Sequence, residues 1–106
     1  MYKRELLREV LKKKITLIDY ENIRDISGDG YRYLGFGRFA GIIGCYNTLN
    51  LYLKLQKKQL LPRAFEINSY EKIKKLISKQ NFNTIKILLT GRGNVAKGSM
   101  EILKHA

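Results

Sequence analysis

The chain has 106 residues, 44% of them apolar, which is enough for one domain with a buried core. Its 21 lysines and arginines outnumber 9 acidic residues, and the formal charge of +12 indicates an anionic partner such as nucleic acid, a membrane surface or a phosphate-bearing cofactor. A single cysteine, Cys45, excludes an internal disulfide, and with only one histidine in the sequence we expect no metal site.

The first third of the chain is predicted to contain a helix, a strand and a hairpin. Apolar residues at helical spacing indicate a helix over residues 3–13. The β-branched run over residues 15–18 favours a buried strand. Turn-forming residues lead to Asp29-Gly30, which predicts a hairpin whose returning strand covers residues 31–36.

Residues 37 to about 56 are predicted to form a helix with one nearly smooth face. Its small residues lie on neighbouring turns: Ala40, Gly41, Gly44, Cys45 and Thr48. A glycine inside a helix costs about 1 kcal/mol relative to alanine, so we expect a packing reason for this face. Close approach of a second backbone is the simplest reason, and that backbone belongs either to this chain or to another subunit.

The longest apolar stretch of the chain, residues 39–55, is short for a membrane span and is interrupted by Asn47 and Asn50. Residues 1–14 are charged and lack the apolar run of a secretory leader. We therefore expect a cytoplasmic protein that has no membrane partner.

The last third of the chain is predicted to contain two helices and a strand. Residues 57–68 form a connection, and a helix with Ser69 as its N-cap ends near Lys79. The nearly continuous apolar run over residues 84–90 is typical of a parallel strand that is buried on both faces. A turn begins at Gly91, and residues 94–105 are predicted to be helical.

The turn between that strand and that helix fits the dinucleotide-binding pattern G-x-G-x-x-[G/A]. Gly91 permits the tight turn, Gly93 lets the backbone approach a pyrophosphate, and Ala96 lets the helix pack near the strand. The pyrophosphate would bind at the N-terminus of the helix, where free N–H groups and the helix dipole favour negative charge. The alternative interpretation is a strand–helix turn that binds nothing.

The same pattern requires an acidic residue about 20 residues further on, which binds the ribose hydroxyls. Gly91 lies 15 residues before Ala106. We therefore expect the chain to be an internal fragment that contains the opening of a Rossmann domain. The choice between NAD and NADP stays open.

Four blocks of sequence together resemble saccharopine dehydrogenase of the lysine-forming type and its bacterial relatives. These blocks are LIDYE (17–21), GFGRFAGIIG (35–44), YN (46–47) and KILLTGRGNVAKG (86–98). The resemblance extends from about Arg4 to Ala106, and the family is related to alanine dehydrogenase and to the N-terminal region of transhydrogenase. It implies hydride transfer between NAD and a carbon–nitrogen bond of an amino acid, in an enzyme with two Rossmann-like domains and a cleft between them.

The resemblance implies an α/β fold in three segments. Residues 1–36 would be the tail of the substrate-side Rossmann-like domain, and residues 37–83 would form a long interdomain helix and a connection. Residues 84–106 would supply the first strand, turn and helix of a truncated NAD-binding Rossmann domain.

The resemblance also implies roles for individual residues. Arg32 would bind a substrate carboxylate with its guanidinium fork, and Phe36 would line the cleft near the nicotinamide. The residues that would bind the cofactor are Gly91, Gly93, Asn94, Val95 and Ala96. The lysine–histidine acid–base pair of the family is expected before Met1, and neither Lys97 nor His105 matches it. No catalytic residue is therefore assigned, and we expect the 106 residues alone to be inactive.

The sequence leaves two other functions open beside the dehydrogenase. The charge also suits a small basic module that binds nucleic acid, although no nucleic-acid-binding motif accompanies it. A non-catalytic interaction fragment that dimerises through the face between Ala40 and Thr48 is the third hypothesis. Self-association is expected in any case, because an incomplete parallel sheet leaves open edges.

Overall fold

The computed structural model describes residues 3–26, 30, 32–82 and 85–106. The helices within these residues are α1 (Arg4–Lys12), α2 (Gly37–Leu55), α3 (Tyr70–Ser78) and α4 (Asn94–Leu103), with 3₁₀ turns at Tyr20–Asn22 and Ala64–Glu66. All four predicted helices are confirmed, and each ends within about two residues of its expected boundary. The chain divides into two compact units, Met1–Gly35 and Phe36–Ala106.

The described residues of the first unit include α1, a 3₁₀ turn and an antiparallel bridge. The bridge joins Arg24 to Arg32, and the amide of Tyr33 donates to the carbonyl of Ile23 at 2.9 Å, so the chain folds back on itself. The predicted turn at Asp29-Gly30 lies partly outside the described residues. Residues 15–18 are exposed and form no strand, because no described strand lies beside them.

The second unit contains every buried residue of the described part of the chain. The apolar residues buried on α2 recur at helical spacing: Ile42, Cys45, Tyr46, Leu49 and Leu53. Residues from the connection, α3, the loop after it and α4 pack against them: Leu61, Ile73, Ile77, Phe82 and Ile102. α2 is therefore the central element of this unit.

Two polar side chains of α2 form hydrogen bonds with the backbone of the connection that follows α2. The Asn50 side-chain amide donates to the carbonyl of Leu61 at 3.0 Å, and its oxygen accepts from the amide of Leu61 at 2.9 Å. The hydroxyl of Tyr46 donates to the carbonyl of Pro62 at 2.7 Å. These bonds satisfy a partly buried backbone segment that has no regular structure of its own.

Residues 85–90 form no strand with any residue that the structure describes, and Leu88 is 90% exposed. Thr84, where the predicted strand begins, lies outside the described residues. A parallel strand forms only beside a neighbouring strand, so the Rossmann-type α/β fold stays a prediction. Within the described ranges, no helix is both long enough and apolar enough to cross a membrane.

Candidate nucleotide site

Two glycines allow α2 and α4 to pack with their backbones in contact. A Cβ atom on Gly41 would lie 1.9 Å from the carbonyl oxygen of Val95, and one on Gly98 would lie 2.0 Å from that of Arg38. The hydroxyl of Ser99 donates to the carbonyl of Gly41 at 3.1 Å across the same contact. The predicted close approach of a second backbone is confirmed at Gly41, and that backbone belongs to the same chain.

This crossing brings the first residues of the two helices together. A Cβ atom on Gly37, the first residue of α2, would lie 3.2 Å from the Cβ atom of Asn94, the first residue of α4. It would also lie 3.6 Å from a methyl carbon of Val95. Phe36, which precedes Gly37 as the N-cap of α2, is 61% exposed.

The glycine turn has the backbone that its sequence predicts. Gly91 has a φ of +93°, a left-handed conformation that favours glycine. Gly93 precedes α4 as its N-cap with an extended backbone, and no side chain among the described residues caps the helix there. The space that a Cβ atom on Gly93 would enter is open. The first N–H groups of a helix have no partner within it, so those of α4 are left for a ligand or for water.

Ala96 and Val95 differ in their exposure at the start of α4. Ala96 is 9% exposed, as expected for the third small position of the pattern, whereas Val95 is 54% exposed. Arg32 lies in the first unit, where its guanidinium is 3.9 Å from the carboxylate of Glu21. The structure thus brings Gly37, the residue after Phe36, against Asn94 and Val95, and it describes Arg32 within a separate unit.

A cleft of about 530 Å³ adjoins the glycine turn and follows one side of α4. It is lined by Leu89, Gly91, Arg92, Ala96, Lys97, Met100, Glu101 and Lys104. The three cationic residues of this lining form no ion pair within the described part of the chain. The cleft is therefore suited to an anion.

Glu101, the one acidic residue of the cleft, is bound by residues from two other helices. Nε and Nη2 of Arg38 donate to its two carboxylate oxygens at 2.7 and 2.6 Å, and the hydroxyl of Tyr70 donates to Oε2 at 3.0 Å. The guanidinium of Arg38 also lies 5.5 Å from the centre of the Tyr70 ring. We name Arg38, Tyr70 and Glu101 the acid clamp.

These contacts shift the pKa of each member of the acid clamp. The hydrogen bonds from Arg38 hold the pKa of Glu101 below its ordinary value, and the same bonds raise the pKa of Arg38. Burial, together with the hydrogen bond to Glu101, raises the pKa of Tyr70. Glu101 is thus ionised at neutral pH, and its charge is balanced by that of Arg38.

The sequence alone gives no sign of the acid clamp. Neither Arg38 nor Glu101 is among the site residues that the sequence predicts. The two residues are 63 positions apart, so local spacing gives no signal that connects them. Only the crossing of α2 and α4 brings them together.

Comparison with known proteins finds relatives that include three proteins of the same name. The chain is 32% identical, over 94% of its length, to the alpha-aminoadipic semialdehyde synthase of Mus musculus, which is described as mitochondrial. The proteins of the same name from Rattus norvegicus and Bos taurus match equally well. The chain spans 12% of the length of each relative. No family model matches the chain, and no solved structure matches it with significance.

Proposed function

We propose that the chain forms part of an NAD(P)-dependent amino-acid dehydrogenase. The related synthases contain saccharopine dehydrogenase domains, which confirms the predicted resemblance. The reaction proposed is hydride transfer at a carbon–nitrogen bond of an amino acid. The observation that carries this proposal is the glycine turn at residues 91–96, whose backbone leaves the N-terminus of α4 open beside Gly37.

The residues of the turn fit the pyrophosphate of a dinucleotide. Gly93 has no side chain and faces open space, so a phosphate can approach its backbone. The N–H groups of Asn94 and Val95 would donate to the phosphate oxygens, and the dipole of α4 favours the negative charge. The cofactor, when bound, supplies hydride acceptance or donation, while this chain binds and orients it.

The resemblance gives a role to each of two residues, one in each compact unit. Arg32 would bind a carboxylate of the amino acid, replacing Glu21 at its guanidinium. An exposed ion pair contributes about 0–1 kcal/mol, so this exchange costs little. Phe36 would place an apolar ring beside the nicotinamide; the residue that follows it, Gly37, lies against Asn94 and Val95, which would bind the pyrophosphate.

The architecture proposed for this function is α/β. Residues 84–90 would become a parallel strand once neighbouring strands lie beside them, which would bury the exposed Leu88. The segments 1–36, 37–83 and 84–106 would serve as the tail of the substrate-side domain, the interdomain helix and connection, and the start of the nucleotide-binding domain. A cytoplasmic location stays a prediction for this chain, and cell fractionation would test it.

A calorimetric titration with NADH tests the proposal. We expect NADH to bind the chain and Gly93→Asp to abolish binding, because the new carboxylate enters the space left for the pyrophosphate and repels it. Gly44→Asp is the matched control, since Gly44 also faces open space but lies on α2, outside the turn. Equal affinities for the chain and the Gly93→Asp variant would refute a nucleotide site at this turn.

A further inference from the structure

Glu101, which the acid clamp binds, lies on the same side of α4 as the glycine turn. The amide of Lys97 donates to the carbonyl of Gly93 at 3.0 Å, so Lys97 lies one helical turn after Gly93. Glu101 follows four residues later, and the three residues therefore form a row along the helix. Lys97 and Glu101 both line the cleft that adjoins the turn.

The side chain of Lys97 is suited to reach a phosphate that is bound at the turn. Side chains on a helix tilt toward its N-terminus, and on α4 that direction leads from Lys97 back to Gly93. Lys97 lines the cleft together with Gly91 and Arg92, and within the described part of the chain it forms no ion pair. Its ammonium is therefore available to donate hydrogen bonds to a phosphate.

A free carboxylate at position 101 would compete with that phosphate for Lys97. Side chains four residues apart on a helix are neighbours, and a lysine and a glutamate at this spacing attract each other. Besides the hydrogen bonds from Arg38, the charge of Lys104 also lowers the pKa of the Glu101 carboxyl, so a cation of α4 already acts on this group. Without Arg38, the carboxylate of Glu101 would pair with the lysines of its own helix.

The acid clamp prevents this pairing, because it directs the carboxylate to α2 and α3. Arg38 donates to both carboxylate oxygens, and the hydroxyl of Tyr70 donates to one of them. Two aromatic rings hold the guanidinium of Arg38, which lies 5.4 Å from the centre of the Phe39 ring and 5.5 Å from that of Tyr70. A planar guanidinium with two parallel hydrogen bonds holds a carboxylate more firmly than an ammonium does.

We propose that Arg38 is a positioning residue of the nucleotide site: by holding the carboxylate of Glu101, it leaves Lys97 free to bind the pyrophosphate. This inference rests on the proposed function and adds two residues to its site. It separates affinity from stability. Any variant that breaks the clamp loses stability, but only a variant that leaves the carboxylate free should bind the nucleotide more weakly.

Calorimetric titration of the whole chain with NADH at low salt tests the inference with variants on both sides of the ion pair. Arg38→Gln frees Glu101 and should weaken NADH binding about three- to fivefold, the effect of one exposed ion pair. Glu101→Gln also breaks the clamp, but it should bind NADH at least as tightly as the unaltered chain, because the competing charge is gone. The double variant Arg38→Gln/Glu101→Gln should regain the affinity that Arg38→Gln loses.

Lys97→Gln tests the cation that the clamp is proposed to leave free. In the unaltered chain it should weaken NADH about as much as Arg38→Gln does, because it removes the ammonium itself. In the Arg38→Gln variant it should have little further effect, since Glu101 already holds that lysine. Losses of affinity that add in full would contradict a competition between Glu101 and the phosphate for Lys97.

Arg63→Gln is the matched control, because Arg63 also lies over an aromatic ring, 5.9 Å from the centre of Phe65, and does not line the cleft. It should leave the affinity for NADH unchanged. Equal weakening of NADH by Arg38→Gln and Glu101→Gln would overturn the inference and leave the proposed function standing. Absence of NADH binding by the unaltered chain would overturn the proposed function, and the inference with it. Thermal melts of each variant separate a loss of affinity from a loss of folding.

Discussion

At the scale of single residues, glycines decide how closely α2 and α4 approach. The sequence predicted a packing reason for the small residues of α2, and Gly41 has one because its missing Cβ makes room for the carbonyl of Val95. The sequence did not distinguish Gly41 from Gly44, since both lie on the same smooth face. The difference depends on α4, which is more than 50 positions away along the chain.

The replacement of each glycine by alanine tests this distinction. Gly41→Ala should lower the free energy of unfolding by about 1–3 kcal/mol, because the new Cβ atom collides with backbone that belongs to another helix. Gly44→Ala should be neutral or stabilising by up to about 1 kcal/mol, because the site is open and alanine favours the helix. Chemical denaturation of both variants measures the difference, and equal stabilities would contradict the packing described.

At the scale of elements, the acid clamp connects three helices. The sequence predicts where these helices lie along the chain, but it does not predict the contacts between them. Apolar spacing located α2, α3 and α4, because each buries one face. Arg38 and Tyr70 bind Glu101 through polar side chains. The spacing of apolar residues does not predict which polar side chains of different helices meet. The clamp follows from the way the helices cross.

The clamp predicts a specific loss of stability in acid. Because the pKa of Glu101 is lower in the folded chain than its ordinary value of 4.5, the folded chain binds fewer protons than the unfolded chain at this residue. Its contribution to stability is thus fully present above pH 4.5 and is lost as the pH falls below that value. Glu101→Gln should lower stability at neutral pH and flatten the decline in acid.

The pH dependence is measured by urea unfolding across this range. Glu71→Gln is the control, because Glu71 is an exposed carboxylate on α3 that lies outside the clamp. The free energy of unfolding of the Glu71→Gln variant should decrease, as the pH is lowered, in the same way as that of the unaltered chain. If the free energy of unfolding of the Glu101→Gln variant decreases in acid as much as that of the unaltered chain, the hydrogen bonds from Arg38 do not stabilise the fold.

At the scale of the whole molecule, the chain consists of two compact units that differ in burial. Every buried residue of the described ranges belongs to the unit Phe36–Ala106, whereas the three leucines of α1 are exposed. The helices of the second unit could be predicted because each buries a periodic face within this chain. The predicted β-structure over residues 15–18 and 84–90 depends on neighbouring strands, and composition predicts a strand without showing the partners that pairing requires.

This difference in burial predicts a difference in hydrogen exchange. Backbone amides of α2 and α4 should exchange far more slowly than those of α1, because opening the second unit exposes its core whereas α1 buries none of its residues. Exchange measured by mass spectrometry on peptides from each unit tests this. Similar exchange rates in α1 and α2 would contradict the division.

The most direct test of the central claim is to locate where a nicotinamide dinucleotide binds on the chain. We predict that NADPH or NADH, added to the isotope-labelled protein, shifts the backbone amide resonances of Gly93, Asn94, Val95 and Ala96 more than any others in the second unit. The shifts should disappear in the Gly93→Asp variant and persist in Gly44→Asp. Shifts that are absent, or that centre on residues away from this turn, would contradict the account.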